Sequence, residues 1–473
     1  MKILLINPPR EHMIRWTVND WELDLGQISS FPPIGLMYLS SYLREHTNHE
    51  VRILDAIADK MNYQTLRQYL SEFNPVVVGR TSFTFTFYDV LQTAKLAKEV
   101  KPSVKVCLGG PHTSLFPDET MTHPEIDCLI VGDGEVAFKE WLDSLENRIN
   151  IRDIKGMVIC REVDHLVKTE NSKYITDLDS LPFPGFDLLD RKKYYATFGS
   201  SSFMATICST RGCPFQCTYC QVPDKKYRMR SAENVVREML SCYDKGIRDF
   251  YFFDDMFNIN SQRVIDIAEK ILHSEMSGHI TWLFRGRVDG IDEKMLTIAK
   301  KAGCRQILLG VEDYTDEGLK KIKKRITMKQ AFEAVKMARK YGIETSTNWI
   351  IGFPHHQSKK DIYDLINTAM RINSDYAQFS ILQLFPGCEM YEECVKEGSL
   401  TAGRWGEFVR SPVKDFYIEL YTKYLTAMEL SDLYREAHLR YYKRPSYIFR
   451  RLLKLRSFAE FKVKAKAALA VLR

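Results

Sequence analysis

The sequence predicts an α/β chain made of two successive runs of strand–helix alternation and a helical C-terminal extension. Three observations carry that prediction. Short β-branched runs alternate with amphipathic segments over residues 1–148, the same alternation resumes over 196–395, and residues 396–473 read as helix without strands. Between the two runs, 149–195 is expected to be a linker, centred on the turn-rich Asp177-Leu178-Asp179-Ser180-Leu181-Pro182-Phe183-Pro184-Gly185. At 473 residues the chain is long enough for two or three domains with separate cores.

In the first run, Lys2–Ile6, Val51–Asp55, Pro75–Gly79, Val104–Leu108 and Asp127–Val131 read as buried strands. Helical patterns fall at 35–46, 63–73, 86–100 and 135–147. This spacing implies a doubly wound parallel sheet with helices on both faces and ligands beyond the carboxyl ends of the strands. Those ends carry Asn7-Pro8-Pro9, Arg80-Thr81-Ser82, Gly109-Gly110-Pro111-His112 and Gly132-Asp133-Gly134-Glu135. None fits G-x-G-x-x-G, and G-x-x-x-x-G-K-[ST] occurs nowhere, which argues against nicotinamide or nucleoside-triphosphate binding.

In the second run, strands are expected at 203–208, 249–253, 280–286, 305–311, 344–351 and 377–382. Helices are expected near 231–245, 261–276, 292–302, 315–323, 327–341 and 358–373. Catalytic groups in parallel βα barrels sit at the carboxyl ends of strands. Here those ends offer Asp254-Asp255, Arg285-Gly286-Arg287-Val288-Asp289, Glu312, Gly352-Phe353-Pro354-His355-His356 and Pro386-Gly387-Cys388. Adjacent side chains point apart, so His355 and His356 read as polar loop residues. Cys388 either faces the substrate or is an inert buried thiol.

Hydrophobic residues at 45% and charged residues at 27% are ordinary for a globular protein, and no apolar stretch approaches the roughly 18 residues that span a bilayer. The opening Met1-Lys2-Ile3-Leu4-Leu5-Ile6 is too short for a secretory core. With eleven cysteines, an odd number, the thiols are expected to be reduced and the chain cytoplasmic in a low-oxygen setting. The net charge of +6 is concentrated at the end, where residues 441–473 hold ten Lys/Arg against Glu460, so nucleic-acid binding by the body is not expected. Leu452, Leu455, Phe458 and Ala459 share one helical face while Arg450, Lys454, Lys462 and Lys466 occupy others. Two readings stand for this tail: peripheral contact with an anionic membrane surface, or a charged helix packed on the acidic body.

The most specific signal is Cys213-Pro214-Phe215-Gln216-Cys217-Thr218-Tyr219-Cys220. Three thiolates from one loop suit a cubane iron–sulfur cluster with one iron left for a small molecule. Structural zinc sites are closed by four ligands, commonly in paired units, and no second pair lies nearby.

Thr210-Arg211-Gly212 followed by this loop resembles the cluster loop of the radical S-adenosylmethionine (SAM) superfamily. The resemblance implies a partial (βα)6 barrel, a [4Fe–4S] cluster on Cys213, Cys217 and Cys220, and SAM bound to the open iron. It places Tyr219, Asp254, Asp255, Arg287, Glu312 and Gly352 around SAM, with Glu312 also the candidate catalytic residue facing SAM or substrate. Asp254 or Asp255 alternatively caps the helix starting near 260, and Arg287 alternatively pairs with Asp289. The family's Pro-Gly-Glu continuation is replaced here by Pro354-His355-His356.

The first run resembles the Rossmann-like cobalamin-binding domain that precedes many radical SAM modules. The likeness lies in Asn7-Pro8-Pro9, Phe31-Pro32-Pro33-Ile34-Gly35-Leu36, Gly109-Gly110-Pro111-His112 and Gly132-Asp133-Gly134-Glu135. It implies cofactor contacts at Asn7, Pro8, Gly109, Gly110, His112, Gly132, Gly134 and Glu135. The D-x-H-x-x-G signature that gives cobalt a histidine is absent, leaving His112 as a loop residue near the corrin, a hydrogen-bonding partner or a substitute ligand. The expected activity is C-methylation of an unactivated carbon in a small hydrophobic substrate, with electrons from a flavodoxin or ferredoxin. The alternatives are ring formation of the anaerobic magnesium-protoporphyrin monomethyl ester cyclase type and a non-catalytic carrier. Pocket shape is expected to depend on Trp16–Leu25.

Overall fold

A computed structural model describes residues 1–12, 14, 29–162, 165–169, 174–196, 203–222 and 224–453. The loop Trp16–Leu25 and the tail beyond Leu453 lie outside the described residues. The chain divides into two compact units. One holds residues 1–15, 32–194 and 402–418, and the other holds 16–31, 195–401 and 419–473.

In the first unit the apolar runs form β1 (Lys2–Asn7), β2 (Glu50–Asp55), β3 (Val77–Thr81), β4 (Lys105–Gly109) and β5 (Cys128–Val131), all parallel in the order β2-β1-β3-β4-β5. Ile3 to Ile6 are fully buried, as a strand covered on both faces requires. Helix α1 (Ile34–His46) packs with α4 (Glu135–Leu145), and α2 (Tyr63–Phe73) with α3 (Phe87–Val100), giving the two covering layers. Leu36, Leu43, Phe138, Trp141 and Leu142 share a core with Ile3, Leu5 and Ile130.

Three expectations are corrected here. The linker assigned to 149–195 contains β6 (Met157–Arg161) and β7 (Leu166–Lys168), which extend the sheet antiparallel beyond β5. Cys128 and Cys160 face each other across β5 and β6 and form a disulfide, so the thiols are not uniformly reduced. The C-terminal extension is not a single body. Its segment 402–418 packs within the first unit, where Val409 O meets His123 Nε2 at 2.7 Å and Arg410 donates to Glu119 at 2.9 Å.

In the second unit six parallel strands follow one another in sequence order: β8 (Ala205–Ile207), β9 (Asp249–Phe252), β10 (Thr281–Gly286), β11 (Cys304–Glu312), β12 (Glu344–Ile351) and β13 (Tyr376–Ile381). Helices follow β9 to β12 with their hydrophobic faces buried. Residues at Ser261–Leu272 bury Val264, Ile265, Ile267, Ala268 and Ile271, and the Asn260 side chain caps its first turn by accepting from Arg263 N. Phe252, Phe257, Trp282 and Phe284 form a fully buried aromatic layer, with Phe252 and Phe257 stacked 4.2 Å apart. After β13, helix α5 (Ala427–Tyr442) lies on this last strand, and the Tyr442 hydroxyl meets both polar groups of Ala377, accepting from its N–H at 3.1 Å and donating to its carbonyl at 2.7 Å.

Candidate functional site: the cluster loop and the strand ends

The three cysteines follow β8 on a loop whose base is a short antiparallel pair, Thr210–Arg211 with Arg228–Met229. Gly212 takes φ +81°, and a Cβ there would stand 2.5 Å from Lys226 O, so the chain turns into the loop only with glycine. Cys213 N–H donates to Asp224 O, Cys220 N–H to Cys217 O and Thr218 N–H to Ile322 O. The loop's far end is held by Met390 N–H donating to Thr218 O and by Gln221 donating to Pro386 O at 2.8 Å. Desolvation, then the charges of Cys217 and Cys213, push the Cys220 thiol up to about 12, and burial likewise raises Cys213. Thiols crowded against one another resist ionising together, and a bound cation reverses that balance.

The two adjacent acids after β9 separate into different roles. Asp254 is 1% exposed and accepts from Ser209 N at 2.6 Å, Ser209 Oγ at 2.5 Å and Thr210 N at 2.9 Å. Burial raises its pKa and those bonds oppose the rise. Asp254 therefore anchors the entrance to the cluster loop and does not offer its carboxylate to SAM; nor does it cap the helix, which Asn260 does. Asp255 is exposed. The surrounding protein raises its carboxyl pKa and Arg285 opposes this, while its charge in turn raises Cys213 and Cys220. It is the exposed carboxylate of the pair.

Arg287 forms the ordinary salt bridge. It donates in bidentate fashion to Asp289 at 2.8 and 3.0 Å and to Lys324 O at 2.9 Å, and its guanidinium lies 3.8 Å from the Phe215 ring centroid. Lys324, 4% exposed, reaches Glu312 Oε1 at 3.2 Å. Glu312 ends β11 at φ +76°, beyond a register shift after Gly310, a conformation that costs a non-glycine residue on the order of 1–3 kcal/mol. Tyr219 is half-buried; desolvation first and Glu312 second raise its phenol pKa. Phe215, Arg287, Lys324, Glu312 and Tyr219 thus link the cluster loop to the ends of β10 and β11.

His355 and His356 do not point apart. Both rings converge on the buried Asp313, with His355 Nε2 at 2.5 Å and His356 Nε2 at 3.3 Å from Asp313 Oδ2. Burial alone raises the Asp313 carboxyl, but the two imidazole contacts outweigh it and hold the group well below its ordinary range. The three side chains lie close enough together for a cation. However, Gly352 N–H donates to His356 Nδ1 at 3.3 Å, so the His356 proton sits on Nε2 and no lone pair remains there for a metal. The trio instead fixes the turn at Gly352, whose φ of +89° requires glycine. Cys388 is buried with its thiol pKa raised, as an inert side chain would be.

In the first unit the expected contacts are similarly divided. Asn7 donates to Asp55 at 2.8 Å, and Asp55 also accepts from the Tyr194 hydroxyl at 3.0 Å. Pro8 is buried beside it. Gly110 and Gly132 take φ +98° and +96°, and Glu135 opens α4 in a buried position after Gly134. His112 is fully buried, 3.0 Å from both Thr84 Oγ1 and Thr120 Oγ1, and stacked 4.2 Å from Phe87. Thr120 gives its own proton to Phe116 O, so His112 Nε2 donates and Nδ1 accepts from Thr84. Burial pushes its pKa down to about 3. With both nitrogens engaged, His112 is a hydrogen-bonding partner of Thr84 and Thr120 and has no lone pair left for cobalt.

The profile of the Radical SAM superfamily matches residues 207–369, and that of the B12 binding domain matches residues 29–142. A Pyrococcus horikoshii protein named as an uncharacterized methyltransferase is 32% identical over 97% of this chain and 96% of its own length. This chain belongs to the cobalamin-binding radical SAM family. The anaerobic magnesium-protoporphyrin IX monomethyl ester cyclase of Rubrivivax gelatinosus is 26% identical over 77% of this chain and 66% of the cyclase. The radical SAM methyltransferase TsrM of Kitasatospora setae, solved with cobalamin and a [4Fe–4S] cluster, shares the fold at a TM-score of 0.67 and 20% identity, covering 84% of this chain and 78% of TsrM.

The cofactors of a cobalamin-binding radical SAM enzyme are SAM, a [4Fe–4S] cluster and cobalamin, and the residues present fit them. The donor set of the loop is three thiols. Among the described residues, nothing lies within 4 Å of a Cβ built on Gly109 or Gly134, which leaves room for a corrin against the strand ends. The fully buried Ser82 Oγ, at the end of β3, has no hydrogen-bond partner among the described residues.

Replacing Asp254 by Asn is expected to lower stability by about 2 kcal/mol through weakened charge-assisted bonds and to reduce iron retention. Asp255→Asn is expected to keep stability within about 0.5 kcal/mol and weaken SAM binding about tenfold. Denaturant melts and anaerobic titration calorimetry separate the two. Because the folded His112 binds no proton until about pH 3 while the unfolded chain takes one near 6.5, stability falls as pH drops through that window. The slope is about 1.4 kcal/mol per pH unit, and His112→Gln removes it from the pH dependence of the melt.

Proposed function

We propose that this enzyme methylates an unactivated carbon of a small hydrophobic organic substrate. The observation that carries the reading is the intact three-thiol loop, in a chain matched over nearly its whole length by a relative named as a methyltransferase. When bound, the three cofactors supply a carbon-centred radical from SAM and a transferable methyl group. The chain's own residues bind and orient. Asp255 takes the SAM ammonium, the Asp313–His355–His356 trio holds the Gly352 turn, and the Lys324–Glu312 pair presents a carboxylate beside Tyr219. Phe253 is 40% exposed and lies under the Arg285 guanidinium at 4.7 Å, a surface suited to a flat apolar substrate bearing an anionic group. A low-potential carrier such as a flavodoxin or ferredoxin supplies the electron.

Incubation with methyl-labelled SAM, strong reductant and candidate substrates tests this reading. Label in product together with deoxyadenosine is the expected result, whereas deoxyadenosine with unlabelled, cyclised product favours the cyclase chemistry named for the Rubrivivax relative. A chain with cluster and corrin loaded that forms no deoxyadenosine is a carrier.

Peripheral attachment to a cytoplasmic membrane surface is part of the proposal, on a different footing from the charge of the tail. In the helix Pro445–Leu453, Arg450 donates to Asn373 at 2.7 Å and Arg451 to Glu344 at 2.9 Å, so both arginines serve the protein body. Ile448, Phe449, Leu452 and Leu453 are 46–71% exposed and support contact with lipid. Co-sedimentation with anionic vesicles is expected to fall at least fivefold in Phe449→Glu/Leu453→Glu, with the melt unchanged.

A further inference from the structure

The cluster loop lies beside two surface cations that nothing in the chain balances. Cys213 N–H donates to Asp224 O at 3.0 Å, so the segment Asp224–Met229 runs alongside the first of the three cysteines. The end of that segment is pinned by the antiparallel pairing of Thr210 with Met229 and of Arg211 with Arg228. Asp224 is buried and spent within the segment, accepting from Lys226 N–H at 2.9 Å and from the Arg228 guanidinium at 2.5 Å. Arg230, just beyond it, is buried against Glu238. Each of these charges has its opposite next to it.

Lys225 and Lys226 remain. Both are exposed, and among the described residues neither ammonium has an ion-pair or hydrogen-bond partner. Met229, at the end of the same segment, is 48% exposed, and Pro214 and Gln216 of the cluster loop are exposed as well. The Lys225 charge is felt at the cysteines: burial raises the Cys213 and Cys220 thiols, and the ammonium opposes the rise at both. A cluster that takes its electron from outside needs a place where a carrier comes close, because electron transfer weakens steeply with distance. Encounters of that kind are small and transient, and opposite charge guides them more than buried area does. Two free lysines and an exposed methionine, tied by a backbone hydrogen bond to a cysteine, meet those requirements of size, sign and position.

We propose that the face formed by Lys225, Lys226 and Met229 is where a small acidic electron-carrier protein docks to reduce the cluster. One electron leaves the reduced carrier and enters the cluster, so the carrier is oxidised and the cluster reduced by one electron each, with no bond made or broken. The inference rests on the reading that a protein carrier supplies the electron.

Anaerobic cluster reduction, followed by absorbance in the full cluster-loaded chain, tests this with two kinds of reductant. One is an acidic flavodoxin or ferredoxin reduced beforehand, and the other is photoreduced deazariboflavin, which is small and uncharged. In Lys225→Glu/Lys226→Glu the carrier-driven rate is expected to fall about tenfold or more, while the deazariboflavin-driven rate and SAM affinity stay within about twofold. Added salt is expected to slow the carrier-driven rate of the parent chain. Carbodiimide coupling of the parent chain to the carrier is expected to place cross-links on Lys225 or Lys226. Cross-links found only elsewhere, or a carrier-driven rate unchanged in the variant, overturn the docking site and leave the carrier reading standing. A variant slowed equally by both reductants, or one that loses SAM affinity, shows lysines serving the cluster or SAM and overturns the proposal too. The cross-link map uses the parent chain alone, so it decides even where the variant fails to fold. A parent chain that deazariboflavin reduces and neither carrier does overturns both the docking site and the carrier reading beneath it.

Discussion

Everything in the second unit depends on a buried carboxylate clamping the start of the cluster loop. Asp254 receives three hydrogen bonds from Ser209 and Thr210, and Arg263 reaches the same turn by donating to Ser209 O at 3.1 Å and Arg230 O at 3.0 Å. A fully buried charge is tolerable only with such satisfaction, and in return it gives the loop one position. The loop that carries the three thiols therefore starts from a backbone held in place. The segment behind them, 322–325, is tied to the loop through Ile322 O and, by way of Arg287 and Phe215, through Lys324 O.

The first unit uses the same economy with different atoms. Its sheet reverses strand order between β1 and β3, and there the polar side chains divide into two kinds. Asn7, Asp55 and Tyr194 satisfy one another, and the His112 ring is satisfied by the hydroxyls of Thr84 and Thr120. Gly109, Gly134 and Ser82 Oγ leave space or hydrogen-bonding capacity among the described residues. A binding surface for a large cofactor needs both: a rigid rim and groups not already committed to it.

Much of this was legible in the sequence, for physical reasons. Parallel strands covered on both faces appear as unbroken apolar runs, so β1 to β5 and β8 to β13 fell close to their expected positions. The cysteine spacing was legible because the chemistry leaves few alternatives. The strands β6 and β7 were hidden because short runs such as Met157-Val158-Ile159-Cys160 lay in a segment dominated by turn residues. Roles within the site were harder to read, since they depend on contacts distant in sequence. Asp254 and Asp255 are neighbours with opposite surroundings. Arg287 was legible only as two alternatives, and its partner Asp289 is the nearer one. The convergence of His355 and His356 needed Asp313, which lies 42 residues earlier than the first of them. His112 attracted attention through its glycine-rich setting, yet its ring is spent on Thr84 and Thr120.

The tyrosine seam on β13 bears on how large the barrel is able to become. A sheet of six parallel strands ends in a row of backbone groups on which another chain could zip. Tyr442 occupies the donor and acceptor of Ala377 together, and Tyr441 caps the Ser374 carbonyl at 2.7 Å. Side-chain hydroxyls thereby stand where a seventh strand's backbone would have to bond. Strand addition is blocked at that border, and among the described residues the sheet stays at six strands.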